Sequence, residues 1–76
     1  MDAVISLPNG EWCGFEIKLG ANQIDAAAQN LTRIRDEIRK DGGNEPAALW
    51  VVCGLSNAAY MRPDGVYVVP ITALKN

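Results

Sequence analysis

The sequence predicts a small α/β domain in which one long helix packs on a mixed β-sheet of about five strands. Three observations carry this prediction. The chain has 76 residues, 49% apolar and 21% charged, which suits one small domain with a core and excludes a disordered tail. After Gly20 the apolar residues change from a period of two to a helical period. Two turn sequences, Pro8-Asn9-Gly10 and Pro63-Asp64-Gly65, separate short apolar segments, so the predicted order is β-hairpin, helix, strand, β-hairpin.

The first hairpin is predicted over residues 2–19. Residues 2–7 and 11–19 alternate apolar with small or polar side chains, as half-buried strands do. Pro8-Asn9-Gly10 suits a three-residue loop, because Pro favours the first position of a type I turn and Gly the left-handed position that follows. That loop pairs Leu7 with Glu11 and, farther along, Asp2 with Glu16. We expect the face opposite these carboxylates to be core, and its residues are Ala3, Ile5, Leu7, Cys13, Phe15 and Ile17.

A long helix is predicted over residues 23–40, where apolar side chains recur at three- and four-residue steps. Asn22 is the expected N-cap, and Gly42-Gly43 is the expected end. The charges on the other face are mixed in sign, as is typical of a solvated surface. Four residues are expected to form the main core against the apolar run 47–53: Ile24, Leu31, Ile34 and Ile38.

Residues 47–53 are nearly all apolar, as expected of a strand covered on both faces. Because a helix-length crossover separates this strand from residues 11–19, the two strands should be parallel. Residues 54–57 are expected to form a loop. A second hairpin then joins residues 59–62 to 66–71, with Pro70 at a sheet edge or near the end of its strand. Residues 72–76 are expected to form one helical turn.

Composition excludes several classes of function. The net charge of −2 argues against a general nucleic-acid-binding surface, which needs many Lys and Arg contacts to phosphate. Cys13 and Cys53, with no histidine in the chain, cannot form a zinc site and are interpreted as buried reduced thiols. No Gly-Lys-Ser/Thr phosphate loop occurs. Neither a signal peptide nor a membrane span can be read, so the chain is expected to be cytoplasmic.

The predicted hairpin brings chemistry-bearing residues together. Asp2 and Glu16 stand on opposed strands of one face, where like charges repel unless something compensates them. Lys18 lies two residues beyond Glu16, hence on the same face and about 6.6 Å along the strand. Mg²⁺ or Mn²⁺ would suit such an oxygen-rich pair. A one-residue slip of register would instead place Asp2 opposite Ile17 and dissolve the site.

A resemblance to a known protein family gives Asp2, Glu16 and Lys18 a more specific interpretation. Residues 2–5, followed by Phe15-Glu16-Ile17-Lys18, a helix and a buried strand, resemble the Asp…Glu-x-Lys core of the PD-(D/E)xK nucleases, the restriction-endonuclease-like fold. More closely, residues 12–20, 47–54 and 64–71 look like the C-terminal domain of unknown function that follows the AAA-type ATPase module of many bacterial and archaeal proteins, and this resemblance covers nearly the whole chain. The resemblance implies Asp2, Glu16 and Lys18 as catalytic residues, and Asp2, Glu16 and Ile17 as ligands of Mg²⁺ or Mn²⁺.

The resemblance also implies an upstream ATPase module and nucleic acid as a partner of the intact protein. The full nuclease core begins with a helix and a strand before the Asp strand, whereas only Met1 precedes Asp2 here. Residues 1–76 are therefore expected to be a single-domain fragment of a longer protein. Two alternatives stay open: a non-catalytic docking or oligomerisation module of the ATPase, and a structural domain in which Glu16 and Lys18 merely pair. The sequence does not indicate which oligomeric state the protein adopts.

Overall fold

The structure is a computed structural model and describes residues 1–54 and 58–74. It confirms the small α/β fold, with a five-stranded mixed sheet and one long helix. The elements follow one another as β1 (Ala3–Ser6), β2 (Trp12–Lys18), a 3₁₀ turn (Ala21–Gln23), α1 (Ile24–Lys40), β3 (Ala48–Cys53), β4 (Tyr60–Met61), β5 (Tyr67–Pro70) and a final 3₁₀ turn (Ile71–Leu74). The predicted loop 54–57 and the end of the predicted tail, residues 75–76, lie wholly or partly outside the described residues.

The sheet has the strand order β1-β2-β3-β5-β4. The β1–β2 and β4–β5 pairs are antiparallel, whereas β2–β3 and β3–β5 are parallel, as the helix-length crossover predicted. The predicted register of the first hairpin is confirmed, because Ala3 pairs with Phe15 and Ile5 pairs with Cys13. Pro70 ends β5, so the missing N–H of proline falls at the strand terminus.

Both hairpin turns have the predicted chemistry. Gly10 and Gly65 adopt positive φ angles of 88° and 87°, which residues with a Cβ adopt only with strain. The Gly10 N–H donates to the Leu7 carbonyl at 3.0 Å, and the Gly65 N–H donates to the Arg62 carbonyl at 2.9 Å. The same three-residue loop therefore closes both hairpins and sets the register of the strands that follow.

The predicted helix is present, but its start is different. A 3₁₀ turn contains Asn22, and α1 begins at Ile24 with Gln23 as N-cap, so the prediction of Asn22 as N-cap is wrong. The Gln23 side chain instead accepts the Gly20 N–H at 3.2 Å, which satisfies a donor before the helix. The helix ends as predicted, since the Gly43 N–H donates to the Ile38 carbonyl at 2.8 Å.

The core lies between α1 and one face of the sheet. Ile24 and Leu31 are buried as predicted, whereas Ile34 and Ile38, farther along α1, are only half-buried. The buried cluster consists of Ile24, Ala27, Ala28, Leu31, Leu49, Val51, Cys53, Val66 and Val68. No helix among the described residues is long and apolar enough to cross a bilayer.

The face of the sheet that the sequence predicted as core is the face that α1 does not cover. Ile5 and Ile17 are each 53% exposed, whereas Val52, which lies beside Ile71 of the final 3₁₀ turn, is only 4% exposed on this side and Val69 is 8% exposed. The alternation of strand residues predicts which of them share a face, but not which face the helix covers. We call this surface the open face; its strand residues are Ala3, Ile5, Cys13, Phe15, Ile17, Ala48, Trp50, Val52, Met61, Tyr67 and Val69.

Candidate functional site

Asp2 lies just before β1, beside the Phe15–Ile17 part of β2. The β1–β2 pairing runs from Ser6 to Ala3, so Asp2 is the first residue beyond the paired strand. Two hydrogen bonds hold Asp2 there: its N–H donates to the Phe15 carbonyl at 2.9 Å, and its Oδ2 accepts the Ile17 N–H at 2.7 Å. The slipped register that would dissolve the site is therefore not the one adopted.

Glu16 is a carboxylate buried beneath the helix. Only 5% of its surface is exposed, and it lies on the face of β2 that α1 covers. Two ammonium groups approach it: the α-ammonium of Met1 lies 3.3 Å from Oε2, and the Lys18 Nζ lies 3.8 Å from Oε1. The Met1 ammonium lies at ion-pair distance from Oε2 but does not have hydrogen-bond geometry. Oε2 is buried and accepts no hydrogen bond from the described residues. A buried charge of this kind needs such compensation.

Lys18 extends from the same face of β2 toward solvent. Its side chain is 32% exposed, so the ammonium can contact both Glu16 and an approaching ligand. A cleft of about 260 Å³ opens here between β2 and the start of the helical segment. The residues that line it are Glu16, Lys18, Asn22, Gln23, Ala26 and Ala27. The cleft gives an anionic group access to the lysine.

Ile17 contributes through its backbone. Its side chain belongs to the open face, 53% exposed, and takes no part in the site. Its N–H points toward β1, since it donates to Asp2 Oδ2. In an extended strand the N–H and C=O of one residue point the same way. The carbonyl of Ile17 is therefore on the side of the strand where Asp2 lies.

These residues fit a divalent cation in their chemistry. Asp2 and Glu16 offer carboxylate oxygens, Ile17 offers a carbonyl oxygen, and Mg²⁺ and Mn²⁺ prefer such hard donors. No described group donates a hydrogen bond to the buried Oε2 of Glu16, and the cationic Met1 terminus forms an ion pair with it. Across the described ranges no group of three or more His, Cys, Asp or Glu side chains converges in a way that could hold a metal ion.

The role of Met1 was missed by the sequence-based prediction. Its side chain packs against the core, and a Cβ built on Gly14 would lie 2.5 Å from the Met1 Sδ. Glycine inside a strand marks a close approach of another group, and this signal at Gly14 could have indicated that the first residue folds back over β2. That packing brings the α-ammonium to Glu16.

The remaining singled-out residues have structural environments. Cys13 and Cys53 are both free thiols, and Cys53 is buried as expected, whereas Cys13 is half-buried on the open face. Trp12 lies on the helix-covered face, and its indole N–H donates to the Asn44 carbonyl at 2.7 Å. This bond ties the segment after α1 to the start of β2.

Comparisons of the chain with protein-family models, with curated protein sequences and with solved structures found no match.

Proposed function

We propose that this chain is a PD-(D/E)xK nuclease-like module and that the intact protein hydrolyses phosphodiester bonds with Mg²⁺ or Mn²⁺. One observation carries the proposal: Glu16 is a buried carboxylate with the Lys18 ammonium 3.8 Å away, Asp2 is hydrogen-bonded to the neighbouring Ile17 N–H, and Glu16 Oε2 accepts no hydrogen bond from the described residues. A purely structural acidic residue in a core is normally hydrogen-bonded or replaced by an apolar one. Glu16 Oε2 accepts no hydrogen bond and has a cation, the Met1 ammonium, 3.3 Å away, so its surroundings suit a cation, which favours a ligand role.

Each residue has a distinct role in this proposal. Asp2 and Glu16, with the Ile17 carbonyl, would hold the cation. When bound, such a cation supplies a water ligand of lowered pKa and a positive charge beside the phosphate. Lys18 orients or deprotonates the attacking water, or its ammonium stabilises the charge that develops on the phosphate oxygens. Its partial exposure at the cleft makes any of these roles sterically feasible.

The proposal assigns substrate binding to the rest of the protein. A chain with net charge −2 has too little positive surface to hold nucleic acid by itself. We therefore propose that an upstream AAA-type ATPase module presents DNA or RNA to this site, in the cytoplasm.

Cleavage by the intact protein tests the proposal. The wild type would be assayed on single-stranded DNA, double-stranded DNA and RNA with Mg²⁺ or Mn²⁺. Lys18→Met should abolish cleavage while metal binding stays intact or becomes slightly tighter, because a nearby positive charge is lost. Glu16→Ala should lose both. Absence of cleavage by the wild type on all substrates, despite metal binding, would favour the second candidate.

The second candidate is a non-catalytic docking or oligomerisation module of the ATPase. The observation that favours it is the open face, where apolar side chains remain exposed on an uncharged sheet surface. Folds of this kind host many functions, and a binding role would need no cation.

A further inference from the structure

The open face is the largest feature that the proposed chemistry leaves unused. Four of its side chains are well exposed: Ile5 and Ile17 at 53%, Met61 at 61% and Tyr67 at 39%. None of the strand residues on this face carries a formal charge. A large contiguous apolar surface on a small domain usually marks an interaction site, because monomeric proteins rarely leave such a surface exposed to water.

A row of stacked aromatic rings crosses this face from β2 to β5. The ring centroids of Phe15 and Trp50 are 6.1 Å apart, and those of Trp50 and Tyr67 are 5.0 Å apart, both in stacked arrangements. Cross-strand aromatic contacts of this kind stabilise the sheet and hold the rings in fixed positions on its surface. Aromatic residues are also the ones that anchor protein interfaces, because they bring large area at low entropic cost.

The face carries hollows beside its ridges. One apolar hollow of about 260 Å³ lies between Ile5, Phe15, Ile17 and Ile71, and a second of about 260 Å³ lies between Ile5, Cys13, Phe15 and Trp50. Ile5 and Phe15 thus stand as a ridge with an apolar depression on each side. In a twofold pair each copy offers the same ridge and the same hollows, so a ridge of one copy can enter a hollow of the other.

Charge and area favour a second copy as the occupant. The chain has a net charge of −2, and an uncharged face is where two such molecules can meet without like charges in contact. Five strands at ~4.8 Å and roughly five residues at ~3.3 Å give a face of about 400 Å² in projection. Because a corrugated surface exceeds its projection, a face-to-face pair would bury on the order of 1,000 Å², near the lower limit of specific interfaces.

We propose that two copies of this chain associate through their open faces, sheet against sheet, as a twofold dimer. The dimer covers the aromatic row and turns each α/β layer pair into half of a four-layer assembly. The modest area implies a dissociation constant on the order of micromolar or weaker. The proposal is independent of nuclease activity, since the candidate site lies on the opposite face of the sheet.

Two neighbouring residues of β1 provide a matched pair of variants. Ile5 is on the open face and 53% exposed, and Val4 is on the other face and 56% exposed. Sedimentation equilibrium of the wild type from about 5 to 500 μM should give a mass rising toward twice that of the chain. Ile5→Glu should give the monomer mass throughout, and Val4→Glu should behave as the wild type. Thermal unfolding by circular dichroism checks that each variant folds, and Ile71→Glu replaces Ile5→Glu if that variant does not.

The two indole N–H signals give an internal control by NMR. The Trp50 signal should shift with concentration, whereas that of Trp12, on the helix-covered face, should stay constant. A wild type that is monomeric over the whole range overturns the proposal. A dimer that Val4→Glu disrupts, or that neither Ile5→Glu nor Ile71→Glu weakens, overturns it as well, because the contact would then use another surface.

Discussion

The α-ammonium of Met1 lies 3.3 Å from Oε2 of Glu16, the buried oxygen that accepts no hydrogen bond from the described residues. An ammonium group and a metal ion cannot share that oxygen at close range, because both are cations. In the 76-residue chain the ammonium would therefore compete with the cation of the proposed site, and upstream residues in a longer protein would remove this charge. It also compensates the charge of a carboxylate that α1 buries.

Moving this ammonium should strengthen cation binding. Two neutral residues, such as Gly-Ser, added before Met1 would carry the charge away from Glu16, and we expect Mn²⁺ to bind severalfold more tightly. A Lys18→Met variant tests the second ammonium in the same way. Mn²⁺ titration followed by water-proton relaxation measures both. Unchanged or weaker binding by the extended chain would contradict competition at Oε2.

Leu31 should contribute strongly to stability. It is fully buried in the core between α1 and the sheet, and truncating such a residue to Ala typically costs ~2 to 5 kcal/mol of unfolding free energy. A domain this small has a low free energy of unfolding, so Leu31→Ala should be largely unfolded at 37 °C. The control is Ile34→Ala, at a half-buried position of the same helix, which should cost clearly less. Equal midpoints in urea for Leu31→Ala and wild type would be inconsistent with this core.

Arg62 connects the second hairpin to the start of α1. It pairs with Asp25 at 2.5 Å and with Asp64 at 3.2 Å, and its side chain is 19% exposed. The hydrogen bond that Arg62 donates to the Asp25 carboxylate raises the pKa of Arg62 above its ordinary value. Because Asp25 is largely exposed, we expect Arg62→Met to lower the free energy of unfolding by only about 1 kcal/mol. The loss should be smaller at high salt, which screens the ion pair. Urea unfolding of Arg33→Met, whose Glu37 pair is exposed, is the control and should change little.

Glu45 should titrate below an ordinary glutamate. The hydrogen bond that Arg39 Nε donates to Glu45 Oε1, at 2.9 Å, lowers the pKa of Glu45. Since the folded pKa lies below the unfolded one, the stabilisation is present above the unfolded pKa and is lost as pH falls through the folded pKa. In Arg39→Gln the pKa should rise toward the ordinary value, as followed by the Glu45 carboxyl ¹³C shift. Arg33→Gln should leave it unchanged, and an equal rise in both variants would refute a specific pair.

Turn chemistry predicted the strand register well. Pro8-Asn9-Gly10 requires positive φ at Gly10, and one loop length then determines every pair from Leu7 to Ala3. The same local rule gave the second hairpin. The predicted pairing of Asp2 with Glu16 lies one residue beyond the paired strands and stays a prediction.

Other features depend on contacts that local patterns do not contain. Both faces of β3 hold apolar side chains, and α1 packs on the face where Leu31 and Ala28 join Val51 and Val68 in the core. That choice buried Glu16 and exposed Ile17, opposite to what alternation alone suggested. Gln23, rather than Asn22, became the N-cap because a 3₁₀ turn precedes the helix.

The central claim is that Asp2 and Glu16 bind a divalent cation, and Mn²⁺ titration with per-residue NMR tests it most directly. Substoichiometric Mn²⁺ should selectively broaden the amides of Asp2, Glu16 and Ile17 in the folded chain, and Glu16→Ala should lose this effect. Broadening spread instead over the helix acids Asp36 and Glu37, or unchanged in Glu16→Ala, would contradict the claim.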